Sequence, residues 1–371
     1  MIFGAPLLRR FSRISTTGRF IAEIDGLRFL AIAAVVLYHL CGTIAQQSPP
    51  ERKDYVYVFF AQGWFGVELF FAISGYILSL PFAEAAFQET PRPPLGAYYL
   101  RRLTRLEPPY LINLAIVYAG LVFLGGGSAL GLLPHLGATA VYLHTPVYGE
   151  FSIINGVTWS LEVEVQFYLL APMLAAVFRI RSTALRRGLI AASMTILAGP
   201  RAPGVGDQLA LLRYLHFFLV GFLLADLTAS GGLKKSARWD LAGAVAWILL
   251  VLSVVKVGTP RVVLPWLILV AYLAAFYGPL FGALFSNAWI ATIGGMCYTI
   301  YLYHVPLMNL VWPWLSRAID PTRPFAANFA LLALLFLPLL LLVSALLFLA
   351  FERPFMRRGW YRKCSEATTP P

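Results

Sequence analysis

Charge is what this sequence lacks. Only 12% of its 371 residues are Asp, Glu, Lys or Arg, about half the usual share of a soluble domain, while 59% are hydrophobic. A chain so composed, with long apolar runs, belongs in lipid rather than water. Cysteine is also scarce. Cys41, Cys297 and Cys364 lie far apart with no CxxC or Cys/His spacing, which argues against a disulfide framework and a zinc site, and no metal is expected. No hydrophilic stretch is long enough for a soluble domain, and no tandem repeat is visible. The shortage of acidic residues leaves a net charge of +12. The basic residues cluster between apolar spans, where they orient a membrane protein, so nucleic acid is not the expected partner.

A helix needs roughly 20 mostly apolar residues to cross the hydrocarbon of a bilayer. Candidate spans fall at 26–44, 62–82, 109–125, 158–178, 187–200, 209–228, 240–257, 262–284, 288–312 and 325–350. The first run carries no clear small-residue cleavage site and reads as a retained helix. The stretch 130–145 is also apolar, but Gly and Pro interrupt it, and His135 and His144 read as solvated loop residues. If 130–145 does not cross and the N-terminus is cytoplasmic, twenty of the 29 basic residues fall inside and seven outside, with Arg28 and Arg213 within spans. If it crosses, the arginines after residue 178 move outside and the rule fails there. The expectation is an all-α polytopic membrane protein of about ten transmembrane helices bundled around a buried polar chamber. It is read as a single domain over 1–371, with 1–24 and 353–371 cytoplasmic, in the inner (plasma) membrane.

Ionisable side chains inside spans are costly, so each is a candidate functional residue. Arg28 and His39 are eleven residues apart, about three turns, and share one face of the first helix, some 16 Å apart along it. Arg28 sits near the inner end, where it either snorkels to the headgroups or serves a site. Taking about 1.5 Å per residue, His39, Glu68, Glu164, His216 and His304 all fall in one slab beyond the midplane. Buried histidines can simply bond neighbouring helices; the carboxylates Glu68 and Glu164 demand partners. Glu162 faces away from Glu164 and reads as solvated or locally paired, and His216 with Arg213 reads as a structural pair. Arg101, Arg102 and Arg105 precede the third span. They are either inside-positive charge or a clamp for an anionic, phosphorylated cytosolic substrate, with Pro108 and Pro109 starting the span.

These residues lie in recognisable motifs. Asp25-Gly26-Leu27-Arg28 with His39 resembles the D-G-x-R-x(10)-H signature of the bacterial membrane acyltransferase 3 family. Gly63-x-x-Gly66-Val67-x-x-Phe70-Phe71-x-x-Ser74-Gly75-Tyr76 is similar to its second-helix motif, and Arg101-Arg102-x-x-Arg105-x-x-Pro108-x-Tyr110 to its basic loop. Trp159-Ser160-Leu161-x-x-Glu164-x-x-Phe167-Tyr168, Tyr298-x-x-Tyr301-Leu302-x-His304-x-Pro306-Leu307 and Glu352-Arg353-Pro354 complete six motifs in order over residues 25–354. Val165 stands where many members carry a second Glu, and the extra C-terminal hydrolase-like domain of some members is not seen, so a stand-alone version is expected.

The resemblance implies a membrane O-acyltransferase that moves an acyl group, acetyl foremost, from acyl-CoA to a hydroxyl of a sugar or other extracytoplasmic acceptor. Acyl-CoA would be a substrate, with no tightly bound cofactor. The expected cofactor-binding residues are Arg28, Arg101, Arg102 and Arg105; the expected catalytic residues are His39, Glu68, Glu164 and His304. His39 is read as the base, because an imidazole titrates near neutrality, with Glu68 or Glu164 orienting it. Direct transfer is preferred to an acyl-histidine. Ser74 and Ser160 are read as hydrogen-bond donors or packing residues. The rival reading is a transporter or channel using the same buried His, Glu and Arg.

Overall fold

The computed structural model describes residues 11, 13, 20–51, 54–88, 90–199, 210–255 and 261–356, and among these every regular element is helical. Arg9, Arg10, Arg19, Arg52, Lys53, Arg201, Lys256 and the tail beyond Met356 lie outside the described residues. Helix is what lipid requires of such a sequence, because the backbone there must bond within its own segment. The main helices are α1 (Ala22–Ala45), α2 (Gly66–Phe87), α3 (Leu95–Phe123), α4 (Ala129–Ala140), α5 (Trp159–Leu174), α6 (Thr183–Ala198) and α7 (Ala210–Ala229). They continue with α8 (Ala237–Val255), α9 (Leu264–Tyr277), α10 (Pro279–Phe285), α11 (Ala288–Gly295), α12 (Cys297–Leu315) and α13 (Phe325–Leu347).

Seven of these, α1, α2, α3, α5, α7, α8 and α13 with their short extensions, are long and apolar enough to cross a bilayer. The expected segment at 262–284 is bent by 87° between α9 and α10, the geometry of a broken span or a re-entrant loop, and makes an eighth only if the pair is one span. Its cause is local: Pro279 has no N–H to continue α9, and the buried Asp240 carboxylate accepts the freed Leu280 and Phe281 amides at 3.1 and 3.0 Å. The remaining two expected segments are helical but lie outside that set. One is the 16-residue α6, and the other, 288–312, is divided at Met296 into α11 and α12. The stretch 130–145 contains the 12-residue α4, about 18 Å long and too short to cross.

The third expected span, 109–125, starts earlier than its prolines suggested. Helix α3 runs unbroken from Leu95 through Pro108 and Pro109, so the three arginines stand on a helix, not in a loop. Two consecutive prolines remove two helical donors but do not end a helix whose neighbours hold it.

Close packing sets where the polar groups meet. A Cβ on Gly221 of α7 would lie 2.1 Å from the Tyr76 nitrogen of α2, so only glycine permits that approach. Likewise, a Cβ on Gly294 of α11 would lie 1.7 Å from the Asp25 carbonyl oxygen of α1. Two apolar cores result. Phe71, Phe167 and Phe218 anchor one, joining α2, α5 and α7; Leu40, Tyr110, Leu302 and Phe336 anchor the other, joining α1, α3, α12 and α13. The polar cavity described below takes its walls from both.

Candidate active site

The first turns of α1 build one end of the site. Asp25 is buried, and its Oδ1 accepts from Arg28 Nη1 at 2.6 Å and from Arg13 Nη1 at 3.4 Å. Arg28 is thus held in an ion pair one helical turn from its partner rather than snorkelling freely. From α3, Arg102 lies over the rings of Tyr98 and Tyr168, 5.9 and 6.0 Å from their centroids. Arg105, a turn further, lies within electrostatic reach of Arg13, Glu352, Arg102 and Asp25. Glu352, past the end of α13, is buried and fixed by the Thr299 amide and hydroxyl, at 3.1 and 2.5 Å.

Arg13, Arg28, Arg102 and Arg105 line one cavity together with Ser74, Glu164, Ser160 and Tyr301. Ser74 donates to Glu164 at 2.5 Å, and Ser160 is 3.0 Å from the Tyr301 hydroxyl, which also donates to the Val157 carbonyl. A vestibule lined by Arg13, Arg101, Arg102 and Arg105 adjoins it, with Arg101 exposed at its edge. Five arginines therefore face four carboxylates, Asp25, Glu84, Glu164 and Glu352. The excess of guanidinium suits a ligand carrying several negative charges.

One turn beyond Tyr301 stands His304. Its Nδ1 donates to the carbonyls of Tyr301 and Ile300, at 2.7 and 3.1 Å, since a carbonyl can only accept. The lone pair is then on Nε2, which is buried and has no hydrogen-bond partner among the described residues. The His39 ring lies 5.1 Å from the His304 ring, centroid to centroid. The structure thus brings His39 and His304 together, and Glu164 together with Arg28, Arg102 and Arg105.

The five residues of the expected slab do not share one chamber. Glu164 faces the arginines. Glu68 is buried on another face of α2, with Arg261 and Arg213 as its nearest charges and Oε2 without a hydrogen bond among the described residues. His216 packs on Phe217, and Arg213 lies over the Tyr214 ring. Axial height read from sequence could place these groups at one depth but could not say which faces pointed inward together.

His135 and His144 are not solvated loop residues. His144 is fully buried, 2.9 Å from His135 through ring nitrogens and 3.1 Å from the Glu150 carbonyl. Glu162 is buried and locally paired, accepting the Thr145 amide. Three site residues escaped the sequence reading. Arg13 was indistinguishable from its neighbours in a basic segment; Glu352 and Tyr301 were motif landmarks without an assigned part. Their partners, Asp25, Thr299 and Ser160, were visible only once the helices were packed.

The fold and this cleft define a helical membrane protein with a cationic cavity and, one helical turn from its Tyr301 wall, a histidine pair. Residues 21–353 match the acyltransferase 3 family, described as an acyltransferase domain, and the chain belongs to that family. It is similar to the peptidoglycan O-acetyltransferase OatA of Listeria monocytogenes, at 24% identity covering 95% of this chain and 58% of that protein. A Staphylococcus aureus (strain COL) protein provisionally named as an O-acetyltransferase is 24% identical, covering 92% of this chain and 58% of its own length. Nodulation protein 10 of Rhizobium leguminosarum is 28% identical over 31% of this chain and 34% of its own. The chain thus spans under three-fifths of the length of the first two relatives. No solved structure matches it at a significant level.

Proposed function

We propose that this protein is an O-acyltransferase that moves an acyl group, acetyl foremost, from acyl-CoA to a hydroxyl of a sugar or similar acceptor across the bilayer. The observation that carries this reading is the arginine excess in a cleft whose wall residue Tyr301 lies one helical turn from His304, itself against the His39 ring. Family membership and the O-acetyltransferase relatives support transfer to a hydroxyl; the donor rests on the arginines. On this reading both termini and the arginine vestibule face the cytoplasm of an inner-membrane protein. Arg13, Arg28, Arg101, Arg102 and Arg105 hold the donor's phosphates, and its arm threads past Glu164 and Ser74.

His39 takes the proton of the acceptor hydroxyl as its oxygen attacks the thioester carbonyl. His304, its tautomer fixed by two carbonyls, positions His39 and accepts from it or from the acceptor through Nε2. Collapse of the tetrahedral species breaks the carbon–sulfur bond, and the proton returns to the thiolate leaving group. Glu164, bonded to Ser74, balances Arg102 rather than orienting His39, while Glu68 stands apart from this path. Labelled acetyl-CoA supplied to reconstituted protein with candidate glycans tests the reading. Label on an acceptor hydroxyl is expected. Label crossing into vesicles with no acceptor or water modified indicates a transporter and overturns it.

A further inference from the structure

The cleft does not end at the arginine vestibule. A further cavity of about 330 Å³ opens from it, sharing the wall formed by Phe20, Leu80, Glu84 and Gln88. Its chemistry is of another kind. Where the vestibule presents Arg13, Arg101, Arg102 and Arg105, this chamber has, among the described residues, no arginine and a single cation, Lys235; it presents the carboxylate Glu23, the carboxylate Glu84 that it shares with the vestibule, and the rings of Phe276 and Tyr277. With two carboxylates against one lysine, the chamber suits an uncharged part of a ligand better than it suits a phosphate. Flat apolar rings with neighbouring hydrogen-bond acceptors fit a planar heterocycle carrying an amino group. The chamber is also at a suitable remove. Glu84 lies ten residues along α2 from Ser74, about 15 Å from the Ser74–Glu164 pair, on the far side of the arginines from the histidines.

We infer that this chamber is the base subsite of the donor: the adenine of acyl-CoA stacks on Phe276 and Tyr277 and donates its exocyclic N6 amino group to Glu84 or Glu23, while the phosphates lie among the arginines. The inference rests on the acyl-CoA reading given above and adds the part of the donor that the arginines do not explain. It also gives the protein a means of selecting an adenine nucleotide over other polyanions, since a purine with a 6-oxo group turns an acceptor toward a carboxylate.

The test is equilibrium binding to the full chain in nanodiscs, using CoA, its 6-oxopurine analogue and 4′-phosphopantetheine. Wild type is expected to bind CoA about tenfold more tightly than the 6-oxopurine analogue, the scale of one charge-assisted hydrogen bond, and 4′-phosphopantetheine, which also lacks two of the phosphates, more weakly still. In Glu84→Gln or Glu23→Gln, the amide offers a donor, so the preference between CoA and the 6-oxo analogue should vanish or reverse while 4′-phosphopantetheine binds as before. A merely misfolded variant would lose all three ligands together, and Tyr277→Leu, which removes stacking without touching a charge, should weaken both purine ligands and spare 4′-phosphopantetheine. If wild type binds CoA and its 6-oxopurine analogue alike, the base subsite is overturned and the donor reading stands. If it binds none of them, both fall.

Discussion

The contact between His39 and His304 makes a prediction about how their losses combine. Removing a positioned general base costs about 10² to 10⁴ in rate, or roughly 3–5 kcal/mol of barrier. His39→Ala should therefore reduce kcat by that range while the protein still inserts. On the proposed mechanism His304 works through His39: its Nδ1 is spent on the Tyr301 and Ile300 carbonyls, leaving only Nε2 to act on a ring 5.1 Å away. His304→Ala should lower kcat about 10- to 100-fold, the worth of one or two buried hydrogen bonds to a reacting group. Residues that act as a unit are not additive, so the double variant should be within a few-fold of His39→Ala alone. The assay is acetyl transfer at saturating donor, with all four proteins compared at matched folded amount. Multiplicative losses would show that the two histidines work separately, and full activity in His304→Ala would remove it from the mechanism.

Other substitutions separate the parts of the cleft. Arg102→Gln and Arg105→Gln should raise KM for acetyl-CoA about tenfold or more with little change in kcat, because each removes a charge-assisted contact to phosphate; a fall in kcat at unchanged KM would contradict that placement. Asp25→Asn leaves Arg28 and Arg13 with no buried counter-charge, a loss of about 3–5 kcal/mol, read as a lowered thermal midpoint in detergent. Glu164→Gln should impair transfer far more than Glu68→Gln, since only Glu164 lines the cavity, and equal losses in steady-state rate would restore Glu68 to the site. Gly221→Ala should force α2 and α7 apart and lower thermal stability by about 1–3 kcal/mol, measured against Gly42→Ala, where a Cβ meets nothing within 4 Å.

Much of this was legible in the sequence because lipid imposes strict rules. Apolar runs gave the helices, and the cost of charge in hydrocarbon singled out Arg28, His39, Glu164 and His304. What failed were inferences needing the third dimension. Glu68 and Glu164 sit at similar axial depths, yet Glu164 meets Ser74 across α2 while Glu68 faces Arg213 and Arg261. Pro108 and Pro109 read as a helix start because proline is common there, but surrounding helices hold α3 through them. Arg13 could not be told from orientation charge, since only its approach to Asp25 and Gly295 sets it apart. His144 read as loop because its short helix, His144–Tyr148, has no periodic signal long enough to see.

The order of groups along the cleft bears on why such chemistry would be housed within a bilayer. Arginines line the vestibule beside α3, the adjoining cavity adds Glu164, Ser74 and Tyr301, and His304, against His39, stands one helical turn past Tyr301. Charge density thus falls along the path. A ligand with phosphates at one end and a long uncharged arm can occupy it without carrying its anions into hydrocarbon, which would cost several kcal/mol each. The reacting end alone needs to reach the histidines, and an acetyl thioester is neutral. A carrier for the whole donor would need its arginine excess continued to the other side. The ring of Tyr301, however, neighbours that of His304, which in turn neighbours His39, and these suit a proton and a hydroxyl better than a phosphate. The gradient therefore favours delivery of a group over passage of a molecule. It also predicts that reversing it with Tyr301→Arg should trap donor without transfer: CoA binding retained or tightened and acetylation lost. Retained transfer in that variant would show that the decline in charge is incidental.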